Sequence, residues 1–210
     1  QQPDPINYIA SKARAALPAS GQYARVRKDF SVPSGVTWPL LNAHVGVTVE
    51  DQRNVGRAAL LTRVPAFTRW ISVEPMLPQQ VTFAYTLFNG ADSFGPCPGI
   101  HGVIIGGESK AGSRPTSLKH VRALRDEAIR AGVKVFFKQW GDWVHPYQMT
   151  DTMRGIINRN HKRQTVDGYE MVRVGKSNAG RRLDGVIHDD LPSPPGYERD
   201  PASGLWVRAA

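Results

Sequence analysis

The sequence predicts an α/β fold built from parallel β/α units and followed by a basic, irregular C-terminal extension. Three observations predict it. Short apolar runs recur as near-continuous strands rather than as alternating ones. Between them lie stretches with helical apolar spacing. Residues 110–182 hold 16 of the 27 Lys and Arg but only 6 of the 18 Asp and Glu, a surplus larger than the +9 net charge of the whole chain.

The elements follow in order. Residues 1–43 form a proline-punctuated lead-in, with Pro3, Pro5, Pro18, Pro33 and Pro39. Within it, 7–17 fits one helix, with Ile9, Ala13, Ala16 and Leu17 near one face. The core spans 44–141 and opens with a strand over 44–50 carrying Val45, Val47 and Val49. Asn54 is placed to cap a helix that Pro65 stops. Residues 68–73, rich in β-branched and aromatic side chains, make a second strand. Residues 76–100 carry turn-formers and little periodicity, so an irregular insertion is expected. A third strand covers 102–105. Pro115, Thr116 and Ser117 then open a helix to about residue 131, with Leu118, Val121, Leu124, Ala128 and Ile129 inward. Gly132 ends it, and 133–137 is a fourth strand. The extension, 142–210, is expected to hold a hairpin about 166–174 and a proline-rich tail over 191–196.

Composition narrows the function. Of 210 residues 40% are hydrophobic and 21% charged, an ordinary ratio for a soluble chain long enough to bury a core. No apolar run reaches the roughly 20 residues of a membrane helix, and no signal-type segment opens the chain, so an intracellular protein without membrane contact is expected. It starts on Gln1, which fits a trimmed product. The single cysteine, Cys97, rules out an internal disulfide framework or a multi-cysteine metal site within these residues. The six histidines show no paired metal spacing. A localised basic surplus attracts polyanions, DNA or RNA among them; the plainer reading is a solubilising face. Lys110, Arg114, Lys119, Arg122, Arg159, Lys162 and Arg163 are the candidate contacts, with Trp140 to stack a base or, equally, to cover the end of the core.

Ligands of parallel β/α folds bind beyond the carboxyl ends of the strands. Those ends here are polar: Glu50, Glu74, Glu108 and Lys138, with Gly106, Gly107 and Gln139 beside them. Three carboxylates and a lysine on one rim suit acid/base work or the binding of an amine, a hydroxyl or a phosphate. Alternatively they cap helices and pair with one another. The loop 106–115 leads from strand to helix, so its amides could face an anion, although it has no Walker spacing. Glycines needed for a turn explain it as well.

These segments carry a resemblance. Val45-Gly46-Val47-Thr48-Val49-Glu50-Asp51-Gln52, Ile71-Ser72-Val73-Glu74-Pro75-Met76-Leu77, Val103-Ile104-Ile105-Gly106-Gly107-Glu108-Ser109 with Arg114-Pro115, Phe136-Phe137-Lys138-Gln139-Trp140-Gly141 and Ala179-Gly180-Arg181-Arg182-Leu183-Asp184-Gly185 resemble, in order, signature segments of a phage-encoded, radical-SAM-like family with a three-cysteine motif. The likeness covers roughly residues 36–188. It implies a partial parallel β/α barrel, a radical-SAM-like half barrel, in a bacterial or phage-infected cytoplasm. The family's three thiolates hold an iron–sulfur cluster that binds S-adenosylmethionine. The chain lacks that motif, so the resemblance is to the family's C-terminal half, and cluster and S-adenosylmethionine are expected only in a complex with the missing half. Function is then either part of a radical-SAM-like enzyme acting on nucleic acid or a nucleotide, or a non-catalytic basic binding module or structural subunit that keeps the fold. Four strands also leave an open apolar edge at 45–49, which a second polypeptide or another copy is expected to cover.

Overall fold

Branched and aromatic side chains in short runs favour strands, and the computed structural model of the chain forms strands on those runs. It describes residues 43–84, 87–88, 91–92, 95–96, 99–191, 197–202 and 206–208. The helix expected over 7–17, Cys97 and the prolines of the 192–196 tail lie outside the described residues. β1 (His44–Thr48), α1 (Gly56–Thr62), β2 (Thr68–Val73), β5 (Gly102–Gly106), α2 (Leu118–Arg130) and β6 (Lys134–Gln139) build the core. Among the described residues of the 76–100 stretch, only the two-residue strands β3 (Ala91–Asp92) and β4 (Gly95–Pro96) pair. The four long strands form one parallel sheet in the order β1-β2-β5-β6, so each strand is laid beside the one before it in the chain.

The pleat sends alternate side chains to opposite faces. Ile71, Val73, Val103, Ile105, Val135 and Phe137 are buried on the face that α1 and α2 cover, joined there by Ala58, Leu61, Leu118, Val121, Leu124 and Ala128. Each large side chain so buried stabilises the fold by about 2 kcal/mol. The other face is half-buried at Trp70, Ser72, Ile104 and Phe136.

One cap differs from expectation. Asp51, not Asn54, caps the turn after β1: its carboxylate accepts the Asn54 N–H at 3.2 Å and the Asn54 amide at 3.1 Å. That short 3₁₀ turn, Gln52–Asn54, precedes α1, which has no side-chain cap of its own. Ser117 caps α2 as its position suggests, accepting the His120 N–H at 3.2 Å. At the other end Gly132 takes a φ of 72°, with Val133 N–H on Ala128 O and Gly132 N–H on Ile129 O, the paired closure that glycine permits. Ile129 is 54% exposed instead of inward, because it stands about 100° around the helix from Ala128, the last residue of the apolar stripe.

Residues 142–189 of the extension fold onto this core. β7 (Trp143–Val144), α3 (Asp151–Arg154), β8 (Arg163–Val166), β9 (Tyr169–Arg173) and α4 (Lys176–Ala179) follow, then the pair β10 (Tyr197–Arg199) and β11 (Trp206–Arg208). β7, β9 and β8 form an antiparallel sheet. The β8–β9 hairpin turns at Asp167-Gly168, with φ of 49° and 81°, so it begins earlier than expected. Residues 180–189 run along the outer edge of β6, where Phe137 N–H reaches His188 O at 3.0 Å. Among the described residues no strand pairs with the outer edge of β1, and no helix is long and apolar enough to cross a membrane.

His101, just ahead of β5, accepts the Arg69 N–H on Nδ1 at 2.9 Å. Burial, reinforced by the Arg69 charge, lowers its pKa to about 4. Protonation is therefore easier in the unfolded chain, where His titrates near 6.5. Stability from this group is full above about pH 6.5 and is lost as pH falls toward 4. Thermal melts between pH 7 and 5 should show that decline, and His101→Leu should be less stable at pH 7 with a flatter profile. An unchanged slope in the variant would assign the decline to other groups.

Candidate functional site

The carboxyl ends of β2, β5 and β6 bring five of the expected residues together. A bulge between Ile105 and Gly106 sets Gly106 opposite Gln139. Lys138 Nζ donates to Glu74 Oε2 at 3.0 Å, and Gln139 Nε2 donates to Glu74 Oε1 at 3.3 Å. Gln139 Nε2 also lies 3.5 Å from the Gly107 carbonyl oxygen. A Cβ on Gly106 would fall 3.0 Å from Glu74 Cγ, so glycine there lets the carboxylate lie against the strand. Gln139 is 7% exposed, yet its Oε1 has no partner among the described residues. An unpaired buried acceptor costs about 1–3 kcal/mol. A ligand N–H or O–H would satisfy it.

Glu50 and Glu108 are held elsewhere. Glu50 pairs with Arg57 at 3.5 Å. Glu108 accepts Arg114 Nε at 2.9 Å, Nη2 at 3.1 Å and the Arg114 N–H at 2.9 Å, and these hydrogen bonds hold its carboxyl below the usual range. Arg114 thus closes on Glu108 instead of presenting its fork to an external anion. The loop amides turn inward too: Gly107 N–H meets Gln139 O, Lys110 N–H meets Asp142 Oδ2, and Ser113 N–H meets Lys110 O. Its glycine answers to backbone approach rather than to phosphate, since a Cβ on Gly107 would sit 1.9 Å from Trp140 O.

Sequence reasoning missed Asp142, which collects Ser113 Oγ and Arg173 Nη2, both at 2.9 Å, and ties the loop to β9. It also missed that Asp167, 50 residues beyond Ser117, joins Ser117 and His120. Ser117 Oγ donates to Asp167, whose carboxylate lies 3.6 Å from His120 Nε2, while His120 Nδ1 meets Pro78 O at 2.8 Å. The carboxylate stands between serine and histidine, so no serine–histidine relay exists. The group pins the hairpin turn to the start of α2.

Among the basic candidates, Lys110, Lys119, Arg159 and Lys162 are exposed. Arg122 is bound bidentately by Asp184, and Arg163 pairs with Glu170 at 2.7 Å. Trp140 is 1% exposed, edge-on to Phe137 at 4.8 Å, with Nε1 donating to Arg182 O at 2.7 Å, so its ring is closed to a base. Among the described residues no group of three or more His, Cys, Asp or Glu is arranged for a metal ion. A family profile described as "Protein of unknown function (DUF5131)" matches residues 8–192. No curated protein and no solved structure matches the chain.

Proposed function

The chain belongs to the DUF5131 family, and we propose that it is the C-terminal, substrate-holding part of a radical-SAM-like enzyme that acts on nucleic acid or a nucleotide. The observation that carries this reading is the Glu74–Lys138–Gln139 cluster beyond a parallel sheet, with a buried Gln139 Oε1 awaiting a donor. The sequential strand order supports a partial barrel continued by further strands beyond β1. Glu74 and Gln139 orient a polar edge of the substrate, and Lys138, whose side chain is 50% exposed, meets an incoming anionic group.

The cluster itself does not fit these residues. Such a cluster takes three thiolates and the chain contains one cysteine. In this reading it resides on a second polypeptide or another part of a precursor, docked along the outer edge of β1, with which no strand pairs among the described residues. A second reading, a non-catalytic basic module or structural subunit of a larger assembly, is favoured by the closed Glu108–Arg114 pair, which leaves that carboxylate engaged.

Purification of the tagged chain from its native cells under anaerobic conditions tests the proposal. A co-purifying polypeptide with iron and acid-labile sulfide is expected. Glu74→Gln should keep that complex and alter stability by less than about 1 kcal/mol, since its ion pair is partly solvated, yet weaken nucleotide binding. An iron-free chain that still binds nucleic acid would favour the second reading.

A further inference from the structure

We propose that Tyr147 and the basic turn after α3 bind single-stranded nucleic acid, one base stacking on the phenol ring. The ligand class rests on the nucleic-acid reading above; the site does not, being separate from the strand-end cluster. Tyr147 is 76% exposed, more than any other large hydrophobic side chain among the described residues. Burial gives it no reason to be aromatic, and yet its surroundings are ordered.

The ring sits in a short 3₁₀ turn, Pro146–Gln148. Gln148 next to it is buried, donating to Asp184 Oδ1 at 3.0 Å and accepting the Asp184 N–H at 2.6 Å. The Arg154 guanidinium lies 5.4 Å from the Tyr147 ring centroid. It is fixed there by Pro146 O at 3.1 Å, Met149 O at 3.4 Å and Asp151 at 3.4 Å. His145 places its ring 5.4 Å from the same phenol. A ring already ordered loses little freedom when a base stacks on it.

Charge supplies the rest. Residues 145–163 contain Arg154, Arg159, Lys162 and Arg163 against one carboxylate, Asp151. Arg159 and Lys162 are exposed and make no ion pair among the described residues, so both can meet phosphates. Stacking needs an open base face, which a single strand offers and a duplex hides. An exposed aromatic ring on a segment that also carries Arg159 and Lys162, both exposed and without an ion pair among the described residues, is therefore matched to a single strand.

Fluorescence anisotropy on the full chain with a labelled, mixed-sequence single-stranded DNA of about 12 nucleotides tests this, a length within one stacking-groove site. Wild type should bind, and more weakly as salt rises. Tyr147→Ala should weaken binding by about ten-fold or more with an unchanged melting temperature, and Tyr147→Trp should restore it. The double variant Arg159→Ala/Lys162→Ala should flatten the salt slope by about 1.4, the share of two phosphates on a single strand. A duplex of the same length should bind more weakly. Equal affinity of wild type and Tyr147→Ala, or of duplex and single strand, overturns the stacking site while leaving the nucleic-acid reading in place. No binding by wild type at low salt overturns both.

Discussion

Gly107→Ala should destabilise the chain by about 3 kcal/mol or more, the range of severe overpacking. The added Cβ would lie 1.9 Å from the Trp140 carbonyl oxygen and 2.5 Å from its carbon. Those are backbone atoms, and Trp140 cannot retreat. Its N–H reaches Gly180 O at 3.3 Å, its indole is tied to Arg182 O, and its ring is packed on Phe137. Relief has to come from parting the ends of β5 and β6, which breaks the Gly107 N–H bond to Gln139 O at 2.8 Å. Gly141 is the reciprocal contact. Its φ is 81°, and a Cβ there would fall 2.1 Å from Glu108 O. Gly112 is the control: it has a similar φ but nothing within 4 Å, so Gly112→Ala should cost only about 1 kcal/mol of backbone strain. Urea unfolding of the two variants decides the matter. Gly107→Ala within 1 kcal/mol of wild type would mean that the two loops do not meet this closely.

What the sequence disclosed was local. The strands at Thr68–Val73 and Gly102–Gly106 and the helix begun by Ser117 are specified by neighbouring residues, and they lie where the pattern puts them. The turn of the β8–β9 hairpin is equally local, since Asp167-Gly168 is a strong two-residue hairpin signal, but the hairpin expected about 166–174 does not use it. What stayed hidden depends on partners distant along the chain. Trp140 looks like a stacking surface until Arg182, 42 residues later, takes its N–H. Glu74 and Gln139, 65 residues apart, meet only because β2 and β6 flank β5. The strand-end position of Glu74, Lys138 and Gln139 was legible, because parallel topology alone sends them to one edge. That Glu108 would instead close on Arg114, six residues ahead, was within reach of a loop reading but depends on how the loop folds back. Tyr147 gave no signal, as an aromatic in a basic stretch is as often buried as exposed.

Asp184 is expected to be the charged residue whose loss is felt most. It accepts Arg122 Nε at 3.0 Å and Nη2 at 2.6 Å, Arg125 Nη1 at 2.6 Å and Gln148 Nε2 at 3.0 Å. One carboxylate thereby joins the 181–186 segment to α2 and to the turn that carries Tyr147. Asp184→Asn is the cleaner variant, because φ is 55° here and asparagine tolerates that conformation. It removes the counter-charge from Arg122 and leaves Arg125, whose side chain is 13% exposed, with Asp126 alone. The loss should be about 2 kcal/mol, the scale of hydrogen bonds to charged groups. The Arg122 hydrogen bonds, with those of Arg125 and Gln148, hold the Asp184 carboxyl far below the ordinary carboxylate range. A carboxyl lowered in the folded state stabilises above its unfolded value of about 3.9, and that contribution is lost as pH falls further. The stability gap between wild type and Asp184→Asn should therefore be full at pH 7 and at pH 5, below which it narrows. His101 acts at higher pH and is common to both proteins, so it cancels from the gap. Urea unfolding at pH 7, 5 and 3 measures it, and a gap that is absent at pH 7, or as large at pH 3 as at pH 7, would show that the charge of Asp184 does not hold these elements together.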